Sequence, residues 1–146
     1  MIIRIAKEED AKQIVEILKD TPEIRDNDES QLDPLVNENY IKSYINDKEH
    51  SLSIVAEDNS HIVGFIIAEI WPKQKYSYLG YIIVRRDFIG KGVGTKMYLE
   101  YERILRERGF SSVELHVGVN NERMQGFCEK HGFKKGLLFY YYSKEL

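Results

Sequence analysis

Residues 88–97, FIGKGVGTKM, put glycine at positions 90, 92 and 94, with Arg85, Arg86, Lys91 and Lys96 around them. The turn follows an apolar run, YSYLGYIIV, and precedes a charged stretch with helical spacing of Met97, Tyr101, Ile104, Leu105 and Arg108. A helix that opens at such a turn leaves its first N–H groups without intrahelical acceptors, and those groups carry the positive end of the helix dipole. Bare main chain of this kind suits an anion, above all a phosphate. Glycine lets the anion come close where a side chain would block it. The same glycines also permit a tight strand-to-helix corner with no ligand, and the turn taken alone leaves both readings open.

Two familiar phosphate motifs do not fit. A P-loop needs Gly, four residues, Gly, Lys and then Ser or Thr, a spacing that residues 90–94 do not provide. A dinucleotide fingerprint needs Gly-x-Gly-x-x-Gly, and GKGVGT lacks the third glycine. Neither a magnesium nucleotide nor a nicotinamide cofactor is expected.

The elements that must position this turn are legible in outline. Ile2–Ile5 reads as a strand, followed by acidic residues Glu8–Asp10 at a helix start and by Ala11, Ile14, Val15 and Leu18 at helical spacing. A second helix is expected over Glu38–Ile45. Residues 52–57 and 62–70 read as a hairpin around EDNSH, and Tyr78–Val84 as the next strand. After the glycine turn comes the helix that Gly109 ends, then a strand in which Val113, Leu115 and Val117 alternate. A short helix from Asn121 to Gly132 and a tyrosine-rich strand, Leu137–Ser143, complete the chain. The order predicts a mixed α/β or α+β sheet with helices over it, in a single domain spanning 1–146.

Composition bounds the reading. The 146 residues are 42% hydrophobic, enough for a core of their own. The apolar runs are strand-length and far short of the roughly 20 residues of a membrane span. No leader pattern follows Met1, and the one cysteine, Cys128, suits a reducing compartment, so a cytoplasmic location is expected. The net charge of −3 conceals a segment, residues 20–49, with nine acids against three bases. Without a dense basic stripe, nucleic-acid binding is disfavoured. No histidines pair at metal-ligand spacing, so no metal is expected.

VRRDFIGKGVGTKM resembles motif A of the GNAT superfamily of N-acetyltransferases, whose signature Arg/Gln-x-x-Gly-x-Gly/Ala grips the pyrophosphate of acetyl-CoA. The resemblance covers essentially the whole chain. IRIAKEEDAKQIVEIL is similar to the family's first strand and helix, IVGFIIAEI to its third strand, and VNNERMQGFCEKHGFKK to the helix after its fifth strand. It implies a central, mostly antiparallel, splayed sheet flanked by helices. It also implies acetyl transfer from the cosubstrate acetyl-CoA to a primary amine by direct attack in a ternary complex; the rival is a noncatalytic acyl-CoA-binding module. Backbone amides of Gly90, Lys91, Gly92, Val93, Gly94 and Thr95 are then expected at the pyrophosphate. The strand residues Ile82, Ile83 and Val84 would bind the pantetheine arm as an added strand does. Ile89, Asn121, Phe127 and Lys130 align with further cofactor positions.

Two departures stand out. Ile89 occupies the position of the signature Arg or Gln, which removes a polar side chain but keeps the main-chain amides. Cys128 stands where the family commonly has the tyrosine proposed to protonate the leaving thiolate; Cys128, water and a tyrosine among Tyr140–Tyr142 are the candidate acids.

The acceptor amine must be neutral to attack. At pH 7 that costs on the order of 4 to 5 kcal/mol for a lysine-like amine and about 1 kcal/mol for an α-amine. The fourth strand carries no carboxylate where several relatives keep a glutamate, which makes Glu69 the leading base, ahead of Glu114 and His116. The acidic segment suggests a cationic acceptor, with Tyr40, Tyr44, Trp71, Tyr76 and Tyr78 as its walls. The aromatic final strand offers an edge for a homodimer.

Overall fold

The run Ile62–Ile70 lies in a strand so rich in β-branched and apolar residues that both of its faces are buried, and the rest of the sheet is built around it. In the computed structural model, which describes residues 1–21 and 37–146, this is β3 (His61–Trp71). It forms a hairpin with β2 (Ser51–Asp58) through a two-residue turn at Asn59 and Ser60, both at positive φ, the geometry that matches strand twist. β1 (Ile2–Ile5) pairs with β2, β4 (Tyr76–Val84) with β3, and β5 (Ser112–Glu114) with β4. The order is β1-β2-β3-β4-β5, antiparallel except for the parallel β4–β5 pair.

These strands belong to one compact unit, Met1–Leu115; a second unit is His116–Leu146. In the first, α1 (Ala11–Lys19) and α2 (Glu38–Asn46) present Ile14, Val15, Leu18, Ile41 and Ile45 to one face of the sheet, against Val55, Phe65, Ile67 and Ile83. By strand alternation Gly64 faces the other way, where it meets Met97 of α3 (Val93–Glu107). The C-terminus of α3 closes with Gly109 N–H on the Arg106 carbonyl (3.0 Å) and Phe110 N–H on Leu105 (2.9 Å), which is the Schellman pattern. The second unit holds α4 (Glu122–Lys130), closed the same way by Gly132 N–H on Glu129 (3.1 Å) and Phe133 N–H on Cys128 (3.0 Å).

Two expected strands differ. Alternation over Val113–Val117 yields pairing only at Ser112–Glu114, because β4 offers β5 just Tyr76–Tyr78. Leu137–Ser143 forms no strand: β propensity becomes a strand only through a ladder, and these residues lie exposed outside the sheet's pairing. Residues 22–36, the middle of the acidic segment, lie outside the described residues.

Gly64 sets how closely α3, and with it the glycine turn, sits on the sheet. A Cβ there would fall 2.9 Å from Met97 Cε and 3.0 Å from the Ile83 carbonyl oxygen, and the latter is backbone that cannot yield. Gly64→Val is expected to cost about 1–3 kcal/mol of stability, seen as a lower urea midpoint with an unchanged slope. A midpoint equal to that of the wild type would contradict this packing.

Candidate functional site

α3 begins where Gly92 adopts the left-handed conformation (φ +78°), two residues after Gly90 does the same (φ +79°). A Cβ built on either would meet nothing within 4 Å, so the space above both is open. Among the described residues, the N–H groups of Gly90, Gly92, Val93 and Gly94 have no acceptor. Ile89 N–H is already given to the Arg86 carbonyl (3.2 Å) and Lys91 N–H, more weakly, to Phe88 (3.4 Å). Of the amides expected to meet an anion, that of Lys91 is therefore committed inside the turn, as is the amide of its neighbour Ile89. The Val93 side chain is buried, which leaves only its N–H available at the turn.

The four bases are not equivalent. Arg85 forms a two-pronged pair with Asp87 (2.7 and 2.8 Å), which holds that carboxyl below its usual range. The Arg85 guanidinium and Lys91 Nζ also lie 4.8 and 4.9 Å from the centroid of the Phe88 ring. Arg86 and Lys96 are exposed and form no ion pair among the described residues.

β4 leads into this turn with part of one edge unpaired. Its pairing with β5 ends at Tyr78, so among the described residues the β5 side of Leu79–Val84 has no strand neighbour. On the other side Arg85 N–H donates to the Val63 carbonyl (2.8 Å), and the antiparallel alternation then turns the main-chain groups of Val84 and Ile82 toward the unpaired side. Ile83 has its side chain in the core. The register slips between Ile67 and Ala68, which leaves Gly80 opposite no residue of β3, a bulge that bends β4 where it parts from β5. A lone glycine inside an apolar run, as in YSYLGYIIV, is the sequence signal for such a bulge.

The opposite end of β4 gathers the acceptor candidates. Glu69 on β3 is the register partner of Tyr78 on β4, which in turn partners Glu114 on β5. A carboxylate thus stands beside the fourth strand although that strand carries none. Tyr44 of α2 donates to Glu69 Oε1 (3.4 Å) and Tyr40 donates to the Tyr44 hydroxyl (3.1 Å). Burial, followed by the Tyr40 hydrogen bond, pushes the Tyr44 phenol up, so it stays a donor at neutral pH. From the other face Ser77 Oγ donates to the Glu69 carbonyl (2.9 Å) while accepting from buried Tyr101 (2.6 Å), which anchors the main chain of Glu69. Tyr76 donates to Glu114 Oε2 (3.2 Å).

In the second unit Asn121 caps α4 by accepting from Met124 N–H (3.1 Å), a structural duty for its side-chain oxygen. Phe127 packs at 4.4 Å from the His131 ring centroid, and Lys130 lies in the last turn of α4, exposed. Cys128 is buried, and burial pushes its thiol up, keeping it protonated at neutral pH. His116 stacks edge-on against Phe139 at 5.2 Å and belongs to this unit, not to β5. Among the described residues no three of His, Cys, Asp and Glu gather as a metal site, and no helix is long and apolar enough to cross a membrane.

Coenzyme A fits what the first unit offers: open amides above Cβ-free positions for a diphosphate, and an unpaired strand edge for an arm of alternating amides. The family described as "Acetyltransferase (GNAT) family" matches residues 11–133. N-alpha-acetyltransferase 30 of Schizosaccharomyces pombe is 26% identical over 106 residues, 70% of this chain and 71% of that protein. An uncharacterized N-acetyltransferase of Methanocaldococcus jannaschii is 33% identical over 86 residues, 56% of this chain and 38% of that protein. The PaiA N-acetyltransferase of Thermoplasma acidophilum, solved with coenzyme A, superposes with a TM-score of 0.77 at 24% identity, covering 92% of this chain and 91% of that one.

Gly92 and Gly109 provide a matched test of the turn, since both hold φ near +80° with open space above. Alanine at either position should lower stability by about 1 kcal/mol through strain. Only Gly92→Ala should also weaken coenzyme A binding in calorimetry, by about tenfold. Equal affinities for the two variants would remove the turn from the binding site.

Proposed function

The chain belongs to the acetyltransferase (GNAT) family, and from that premise we infer how its residues carry acetyl from acetyl-CoA to a primary amine. It is an acetyl-CoA-dependent N-acetyltransferase, and the noncatalytic rival is not favoured. The observation that carries the assignment of the donor side is the set of acceptor-less amides at Gly90, Gly92, Val93 and Gly94, directly after an unpaired strand edge. These amides hold the diphosphate, and the main chain of Ile82 and Val84 holds the pantetheine arm; Ile89 lends only apolar surface. When bound, acetyl-CoA supplies an acyl group activated as a thioester.

On the acceptor side Glu69 is the base. Its register partner lies on the strand that bends away at Gly80, and its carboxylate takes the ammonium proton directly or through one water. Tyr44 holds that carboxylate from one side. Cys128, kept as a thiol by burial, is the proposed donor of the proton that leaves with the thiol product; Asn121, Phe127 and Lys130 are proposed cofactor contacts by family position. The acceptor is cationic, in keeping with the acids of residues 20–49. We read residues 1–146 as a single N-acetyltransferase domain of a cytoplasmic protein and propose the exposed Leu137–Ser143 run as its surface for self-association.

A coupled thiol-release assay over amines of graded basicity tests the base. Glu69→Gln should lower kcat by about 10²- to 10⁴-fold for lysine-like amines and far less for α-amines, whose deprotonation is cheap. Cys128→Ala should lower kcat by about tenfold or more with KM for acetyl-CoA unchanged, since the lost interaction belongs to the transition state. Full turnover by Glu69→Gln on every amine would remove Glu69 from the role, and by Cys128→Ala would remove the thiol.

A further inference from the structure

The sheet carries a polar row at one end. Ser51, Glu69, Tyr78 and Glu114 are successive register partners across β2, β3, β4 and β5, so their side chains share one face. With strands spaced at about 4.8 Å, the Glu69 and Glu114 backbones stand about 10 Å apart. Neither carboxylate has a cationic partner among the described residues, although most acids on α3 and β2 do, and the neighbouring Lys73 and Lys75 do not pair with Glu114. Each instead accepts from a tyrosine hydroxyl, Glu69 from Tyr44 and Glu114 from Tyr76.

Around Glu114 the surroundings are aromatic. Trp71, at the end of β3, is exposed. Its ring lies 5.2 Å from that of Tyr76, whose hydroxyl is the one bound to Glu114. Two ring faces beside an unneutralised carboxylate match an ammonium group: the rings supply negative quadrupole faces and the carboxylate the counter-charge. At the other end of the row Ser51 is 7% exposed, and its hydroxyl is buried with no partner among the described residues.

We propose that Trp71, Tyr76 and Glu114 form a subsite for a second cation, so that the preferred acceptor is a primary amine bearing another positive charge about 10 Å from the reacting nitrogen. The proposal rests on the reading of Glu69 as the base at the reacting end, and it narrows the acceptor from cationic amines in general to extended dications.

The probe is a series of α,ω-diaminoalkanes from diaminobutane to diaminodecane, with monoamines of equal length. Both are assayed by thiol release and by calorimetry on the coenzyme A complex. Expected is an optimum at diaminoheptane or diaminooctane, with affinity and kcat/KM about tenfold or more above the matched monoamine. Glu114→Gln and Trp71→Ala should reduce that advantage to about twofold or less, with Trp71→Phe intermediate because it keeps one ring. Glu114 and Trp71 are both exposed, so folding is preserved, as urea midpoints will report. Diamines and monoamines binding wild type equally, or a Glu114→Gln variant with the full diamine preference, would overturn the subsite. Full turnover in Glu69→Gln alongside intact diamine preference would overturn the base assignment and leave the subsite standing.

Discussion

A strand that loses its neighbour halfway along must leave main-chain N–H and C=O groups without partners, and buried or half-buried groups of that kind are costly unless something else takes their place. β4 does this at Leu79–Val84: β5 follows it for only three residues, and the Gly80 bulge bends it away. Everything on the donor side descends from that parting. The edge supplies a ladder that another extended, amide-bearing chain can complete. It then runs into a glycine turn whose amides are equally unspent, at the positive end of a 15-residue helix. Of the bases around the turn Arg85 is already answered by Asp87, while Arg86 and Lys96 have no ion pair among the described residues.

The same sheet organises the acceptor side by a different rule. Pairing across strands puts residues of one row on one face, so carboxylates far apart in sequence come to lie beside a single strand. Glu69 is held at both its main chain and its side chain, by Ser77 and Tyr101 from one face and by Tyr44 from the other. Held at two points, the proposed base loses little freedom when it meets its substrate, which is the economy preorganised sites rely on. The donor and acceptor halves therefore share one origin, the register of β3 on β4.

Much of this was legible in the sequence where local chemistry determines the outcome. Gly90 and Gly92 are needed for positive φ, Gly109 and Gly132 stop their helices, and Asn121 starts one; each depends on neighbours a few residues away. The strands from residue 51 to 84 followed from apolar runs with turn residues between them. What escaped was decided by pairing between distant segments. Alternation at Val113, Leu115 and Val117 could not reveal that β4 offers only three partners. The aromatic run after Leu137 carries β propensity and finds no ladder. The row from Ser51 to Glu114 exists only through three registers that no single stretch encodes.

Binding of the diphosphate by particular main-chain amides can be followed directly, because amide resonances report on those groups one by one. Titration of uniformly ¹⁵N-labelled protein with coenzyme A should move the amide protons of Gly90, Gly92, Val93 and Gly94 most and slow their exchange with solvent, while Ile89, already bound within the turn, moves less. Coenzyme A that binds while those four amides stay in place, with the largest changes elsewhere, would contradict it.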